Sequence, residues 1–458
     1  MSGKRLIIQL GTNNWQRDGE FAPGSGILHE AHHKAFNALP NVEGYSIYPS
    51  KTQRVKAPDF RVFELDHDIP ICESISPVSS YRWHGMSDQD ISNYRNRLTR
   101  FVLDWMDEIE ARTKSYFSLA IAHHTFLNPL IMRDVNAARV TAGKPRMPLI
   151  CFVHGTALKM YANERSGDNP TEYPLRFLPM MEQEGIFNAG DAPAAVDLFA
   201  AISGEQVAAL TDIFPAVSDD RIVLSPNGYN QDIFTVIDTP DDIYANRRNV
   251  LRSFQTLPFD GSPHSSQFVD ADADAIVVFC GKFADWKRLD ALLGAAAIYE
   301  QRPERIVTLI VGTGPIEDQR RLQSLAYEQL RLTDAYFLGP RNQDELAVLF
   351  NAADIGCFPS YREPFGLVFL ECMACGTPVI GANSGGPRDF VSADVGHLVE
   401  ETDDRQALSE ALAKSIGRAI NENWKQSKGP TAARYAARNY SVSNQVSQLL
   451  KEIDQRCA

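Results

Sequence analysis

Short apolar runs alternate with longer segments of helical period along most of the chain. Residues 4–10 are a largely apolar run that predicts a buried strand, and 24–39, opening on Gly24-Ser25-Gly26, has helical spacing. Runs of strand length follow at 60–65, 119–123, 149–153, 197–202 and 222–224, with helical patterns over 91–114, 129–142 and 205–214. This rhythm predicts a mostly parallel sheet. It breaks between about 234 and 274, where Pro240, Pro258, Pro263 and an acidic run at 270–274 leave room for one short helix near 243–253. It then resumes with strands expected at 275–280, 306–311, 335–338 and 355–358 and helices at 287–299, 315–331 and 344–353. From Asp404 the chain reads as helical, interrupted at Gly429-Pro430.

The expected organisation is therefore α/β, with two Rossmann-like domains facing a central cleft. Residues 1–236 form the first domain, 237–274 an interdomain region and 275–435 the second domain. Residues 436–458 form a helix that crosses back to the first domain. In such folds ligands sit beyond the carboxyl ends of the strands.

Composition is that of an ordinary globular protein: 458 residues, 44% hydrophobic and 22% charged. A net charge of −13 argues against nucleic acid or an anionic membrane as partner. Any anionic ligand must then be held by local groups. Seven scattered cysteines argue for a reducing compartment, and the first residues are too short an apolar stretch for a signal peptide. No segment approaches a membrane span. A cytoplasmic location is expected, with no integral membrane contact; peripheral association and oligomeric state stay open.

The chemistry is concentrated in 359–377. An apolar run ends at Pro359-Ser360. A loop carries Glu363 and then Pro364-Phe365-Gly366, and an apolar helix-compatible segment from Leu367 carries Glu371 before Cys375-Gly376. A strand, a loop and a helix start place free amides where they attract anions. The other strand ends in this half add to it. Gly281-Lys282 is followed by Trp286-Lys287-Arg288, cations able to neutralise a diphosphate as its charge develops. Gly312-Thr313-Gly314 permits close approach to a base or ribose, and Gly339-Pro340-Arg341 follows the next strand. Asn383-Ser384-Gly385-Gly386 permits a tight turn, against a ligand or not.

Taken together, Gly281-Lys282 with Lys287, the Gly-x-Gly-Pro turn, and Glu363-Pro364-Phe365-Gly366-Leu367-Val368 with Glu371 strongly resemble the family 4 retaining glycosyltransferases. So does Ser225-Pro226-Asn227-Gly228 with Phe234. The resemblance is specific from Ser225 to Gly396 and architectural before His154. It implies the GT-B fold and transfer of a hexose, glucose favoured, from a nucleoside-diphosphate sugar, UDP favoured, to a hydroxyl acceptor. By resemblance, Glu363 accepts from donor-sugar hydroxyls and Glu371 from the ribose. Phe365, Gly366, Leu367 and Val368 offer backbone amides, and Lys282 and Lys287 hold the diphosphate. The family more often has Arg at the first of these positions, and a lysine loses the bidentate fork. His154 faces the transferred sugar, while Gly24 and Gly26 close amides over the phosphates. Gly312, Gly314 and Arg341 complete the donor set. No metal and no cofactor are expected, since there is no convincing Asp-x-Asp motif.

The acceptor is read from the first domain. The loop 11–24 is polar, with Asn13, Asn14, Trp15, Gln16, Arg17 and Asp18. Trp15 stacks on a sugar or covers the cleft; Asn14, Thr156 and Lys159 are further candidates. The helix at 91–114 mixes Arg95, Arg97 and Arg100 with Asp104, Asp107, Glu108 and Glu110, whereas a membrane-docking helix keeps its basic face unbroken. A soluble small-molecule or sugar acceptor is favoured over a lipid or polysaccharide one served by GDP-mannose or another donor. His29-Glu30-Ala31-His32-His33 matches the zinc-protease signature, without a third ligand at the extended spacing. A catalytically silent nucleotide-sugar-binding subunit and a phosphorylase-like enzyme are the other rivals. Cys372 and Cys375 form a lone Cys-x-x-Cys that reads as core.

Overall fold

The structure is a computed structural model and describes residues 4–15, 24–66, 86–166, 177–187, 196–237, 243–259, 268–269 and 272–457. The chain divides into two compact units, Met1–Asn227 with Val442–Ala458, and Gly228–Ser441.

The first unit is built on seven strands: β1 (Arg5–Leu10), β2 (Val42–Ser50), β3 (Phe60–Glu64), β4 (Phe117–His123), β5 (Leu149–Val153), β6 (Leu198–Ala201) and β7 (Ile222–Leu224). They pair in the order β3-β2-β1-β4-β5-β6-β7, and every pairing is parallel. Central strands are apolar on both faces because helices cover both. On one face Leu6, Ile8, Trp105 and Met106 share a core; on the other Ile7, Ile121 and Phe152 pack with Val446, Leu449 and Ile453 of the last helix, Val442–Arg456. β2 was not anticipated, because Glu43, Gly44, Ser46 and Pro49 break its apolar run. It forms because it pairs with β1 on one side and β3 on the other.

The second unit has six strands: β8 (Ala275–Cys280), β9 (Ile306–Val311), β10 (Ala335–Gly339), β11 (Ile355–Phe358), β12 (Val379–Ala382) and β13 (Gly396–Val399). Their order is β10-β9-β8-β11-β12-β13, again all parallel. The stretch 237–274 belongs to this unit where it is described. Arg247 pairs with Asp354 at 2.8 Å, and the Leu257 amide donates to the Phe337 carbonyl at 2.6 Å. The helical stretch breaks at Gly429-Pro430, as expected: one helix, Trp424–Ser427, ends just before it and another, Gly429–Tyr440, opens on it, since proline is tolerated in a first turn.

Both sheets reverse strand order once, between β1 and β4 and between β8 and β11. At such a switch point neighbouring loops leave in opposite directions and open a crevice at the carboxyl ends. Among the described residues no helix is long and apolar enough to cross a membrane.

Candidate active site

In the second unit, the switch point brings the loop after β8 beside the loop after β11. The Tyr361 amide donates to the Trp286 carbonyl at 2.7 Å, which ties the two loops together. Lys287, in the short turn Asp285–Lys287, then reaches the Glu363 carboxylate at 2.6 Å, with both side chains largely buried. Its ammonium also lies 4.1 Å from the Trp286 ring centroid, where the face of the indole attracts it. The backbone of Glu363 is held in turn by the loop after β12. The Gly386 amide donates to the Glu363 carbonyl at 2.8 Å, and Glu363 bridges to Gly385. Gly385 has φ 79°, and a Cβ there would lie 2.2 Å from the Glu363 carbonyl oxygen, so only glycine fits. The glycine pair is thus a support for the Glu363 loop.

The helix Leu367–Ala374 starts at Gly366, whose φ is 96°, and no side chain among the described residues caps it. Its first amides remain available, as an anion site requires. Glu371 lies one turn further in. Burial pushes its carboxyl up to about 7, although part of the residue stays accessible. Cys280, at the end of β8, feels both Glu371 and Lys287, so the three groups share one neighbourhood. Burial, reinforced by Glu371, pushes the Cys280 thiol up to about 12. Sequence reasoning missed Cys280; the signal was its place as last residue of a strand at the switch point.

Other expected members of this half are placed differently. Arg288 is buried and turned toward Glu401 and Asp403, so the guanidinium of the Trp-Lys-Arg trio braces the fold and is not offered to a diphosphate. Arg341 donates to the Gln255 and Leu338 carbonyls and pairs with Glu345. A Cβ on Gly312 would meet the Gly281 carbonyl oxygen at 1.8 Å, so this turn makes room for the neighbouring loop. Phe365 is buried against Phe390 and Tyr440, and its main chain packs on Gly386, where a Cβ would lie 2.6 Å from the Phe365 Cα. Lys282 is exposed. Cys372 and Cys375 are buried thiols, and burial pushes Cys375 up to about 12, an inert state.

In the first unit, the switch point carries His123 at the end of β4, and the neighbouring strand end carries His154. The two rings stack at 5.3 Å, and His123 Nδ1 lies 3.1 Å from His154 Nε2. Burial holds both well below the ordinary imidazole range, with neighbouring histidines adding to it. It lowers His32 to about 4 and His124 to about 3. These rings are neutral near pH 7. Gly24 and Gly26 lie in the first turn of the helix Gly24–Ala38, as an amide-donating turn requires. Thr156 opens the helix Thr156–Ser166, and Lys159 is half-buried on it. Asn14 donates to the Trp15 carbonyl.

Trp15 is a correction. It has no exposed surface: its ring stacks on Tyr48 at 4.7 Å, and its Nε1–H donates to His29 Nδ1 at 3.0 Å. An indole in that setting is core and does not reach an acceptor. Gln16, Arg17 and Asp18 lie outside the described residues. The zinc-protease match is also spoken for, since His29 Nδ1 serves Trp15 while both nitrogens of His33 face Ser46 and Asp59. Among the described residues no cluster of three or more His, Cys, Asp or Glu is arranged to hold a metal.

Two separate parallel sheets, each covered by helices and each reversing its strand order once, are those of a GT-B fold. Solved structures agree. The chain aligns with sucrose-phosphate synthase from Thermosynechococcus elongatus at TM-score 0.64 and 21% identity, over 99% of this chain and 100% of that one. It aligns with Anabaena HepE in complex with UDP and glucose at TM-score 0.60 and 16% identity, over 98% and 100%. At these identities the likeness is one of fold. Residues 264–428 match the family described as glycosyl transferases group 1. A D-inositol 3-phosphate glycosyltransferase of Stackebrandtia nassauensis is 33% identical over 351 residues, 74% of this chain and 69% of that protein. The chain belongs to the group 1 glycosyltransferases. Its matches span 37%, 35% and 65% of the length of the first three curated relatives, also named D-inositol 3-phosphate glycosyltransferases.

Proposed function

We propose that the protein transfers a hexose, glucose favoured, from a nucleoside-diphosphate sugar, UDP favoured, to a hydroxyl of a soluble polyol or sugar acceptor, with retention at the anomeric carbon. The observation that carries this reading is the Lys287–Glu363 pair beside the uncapped start of the helix that bears Glu371. A diphosphate draws the Lys287 ammonium toward itself, with Lys282 and the free helix amides adding positive potential. Glu363 is then released to accept from sugar hydroxyls, and Glu371 accepts from the ribose. The anomeric C–O bond to the diphosphate breaks, and the acceptor oxygen bonds the same face. The departing phosphate oxygen takes the acceptor proton. No metal is required, because the lysines and amides carry the charge. Relatives named for D-inositol 3-phosphate support a phosphorylated polyol acceptor.

A panel of nucleoside-diphosphate sugars, assayed for release of the diphosphate with and without polyol phosphates, tests the reading. Turnover of UDP-glucose that accelerates with acceptor is expected. Binding without release from any donor would make the protein a silent subunit.

Glu371 gives a second, pH-based test. Only the ionised carboxylate accepts from both ribose hydroxyls, and burial sets its titration at about 7. Raising the pH from 6 to 8 should therefore strengthen nucleotide binding about tenfold. Titration calorimetry with UDP should show this slope in the parent protein. In Glu371→Gln only the part due to the phosphate itself should survive, and an equal slope in both would remove Glu371 from the ribose.

A further inference from the structure

His154 is joined to the far edge of its sheet by a continuous chain of buried polar groups. Its Nε2 lies 3.1 Å from His123 Nδ1, and His123 Nε2 lies 3.4 Å from Gln9 Oε1. Gln9 Nε2 donates to Ser46 Oγ at 3.3 Å, and Ser46 Oγ lies 3.0 Å from His33 Nδ1. The chain ends where His33 Nε2 meets Asp59 Oδ2 at 3.1 Å. Gln9, Ser46, His33 and His123 are buried; the Asp59 side chain is 46% exposed. The groups come from β1, β2, β4, the helix after β1 and the residue before β3. None of this is required by packing alone, since a buried polar group costs stability unless it is paired.

The chain has a direction. A carboxylate only accepts, so His33 Nε2 carries a hydrogen; the Asn37 amide nitrogen, 3.4 Å from it, gives its two hydrogens to the His33 and Gly44 carbonyls. With His33 neutral, its Nδ1 accepts from the Ser46 hydroxyl. The Ser46 oxygen accepts from the Gln9 amide nitrogen, and the Gln9 oxygen accepts from His123 Nε2–H. His123 Nδ1 is then a lone pair and accepts from His154 Nε2–H. Among the described residues His154 Nδ1 has no partner of its own, so it is left as a lone pair. We infer that Asp59 is a positioning residue. Acting through His33, Ser46, Gln9 and His123, it holds His154 in the Nε2–H tautomer, so that His154 Nδ1 accepts from a substrate hydroxyl instead of donating to a substrate oxygen. The substrate clause rests on the glycosyltransferase reading above; the tautomer does not.

The test uses the full-length protein labelled with 15N-histidine at pH 8, above the ordinary imidazole range. The His154 resonances are located by their loss in His154→Gln. The parent protein should show His154 protonated on Nε2 and bare on Nδ1. Asp59→Asn, whose amide can donate and so reverse the chain, should move His154 toward the Nδ1–H form. With a turned-over donor it should lower kcat about tenfold, the size of one lost hydrogen bond, with KM for the donor within about twofold. Ser46→Ala should do the same, and Asp59→Glu should restore both readings. A parent His154 protonated on Nδ1, or a nitrogen pattern unmoved in Asp59→Asn, overturns the inference. The spectra need no turnover. A protein that follows them yet consumes no nucleotide sugar would count against the proposed function and leave the relay standing.

Discussion

Replacing Glu363 with alanine is expected to lower sugar transfer by about 10²–10³-fold, the equivalent of losing two charge-assisted hydrogen bonds in part. Nucleoside-diphosphate binding should persist. The backbone of the loop does not depend on the side chain, because the Gly386 amide and the Gly385 bridge hold the main chain at this position. What is lost is the carboxylate that the donor hydroxyls would reach, together with the partner of Lys287. The Lys287 side chain, 13% exposed and with its ammonium 2.6 Å from Glu363 in the parent, is then left without that counter-charge. Affinity for UDP alone should hold or rise while turnover collapses. Steady-state kinetics beside calorimetry with UDP separates the two effects, and a kcat near that of the parent would remove Glu363 from the chemistry. Lys287→Ala is the mirror experiment, in which nucleotide affinity should fall.

The largest stability effect is expected at Glu110. Its carboxylate takes Arg139 Nη1 at 2.7 Å and Lys144 Nζ at 2.8 Å, and it accepts from the Phe117 amide at 3.0 Å. The Arg139 side chain has no exposed surface, and among the described residues its Nε and Nη2 have no partner. Glu110→Ala therefore strands a buried guanidinium, which costs about 3–5 kcal/mol. For a unit of this size that lowers its thermal midpoint by about 10 °C. Scanning calorimetry reads the change. A drop below about 2 °C would mean that water reaches Arg139 and the ion pair is not buried. A double variant, Glu110→Leu with Arg139→Met, should recover most of the loss, because it removes both charges at once.

How far the sequence could be read depended on the reach of each interaction. Apolar runs such as 149–153 and 306–311 became strands because burial on both faces writes itself as an unbroken run. β2 escaped because Ser46 and Glu43 sit in it for reasons set elsewhere: Ser46 faces Gln9 and His33, and Glu43 accepts from Tyr45. The Glu363–Glu371 stretch was legible since its strand, loop and helix are contiguous. Arg288 was misread because its partners, Glu401 and Asp403, lie more than a hundred positions away. Trp15 was ambiguous for the same reason: an indole in a glycine-bordered loop reads alike whether Tyr48 covers it or a sugar does. The relay through His33 and His123 left one trace, Gln9 set inside the apolar run of β1.

The return of the chain to the first unit at Val442 bears on how the protein is made. Val446, Leu449 and Ile453 complete a layer over Ile7, Ile121 and Phe152, and they are synthesised after the whole of Gly228–Ser441. The first unit therefore emerges from the ribosome with one face of its sheet covered in part, by Ala35 and Phe36, and it waits through more than two hundred residues for the rest of its cover. The second unit is contiguous in sequence. The part of the chain translated later is thus the part whose own core is complete in sequence first.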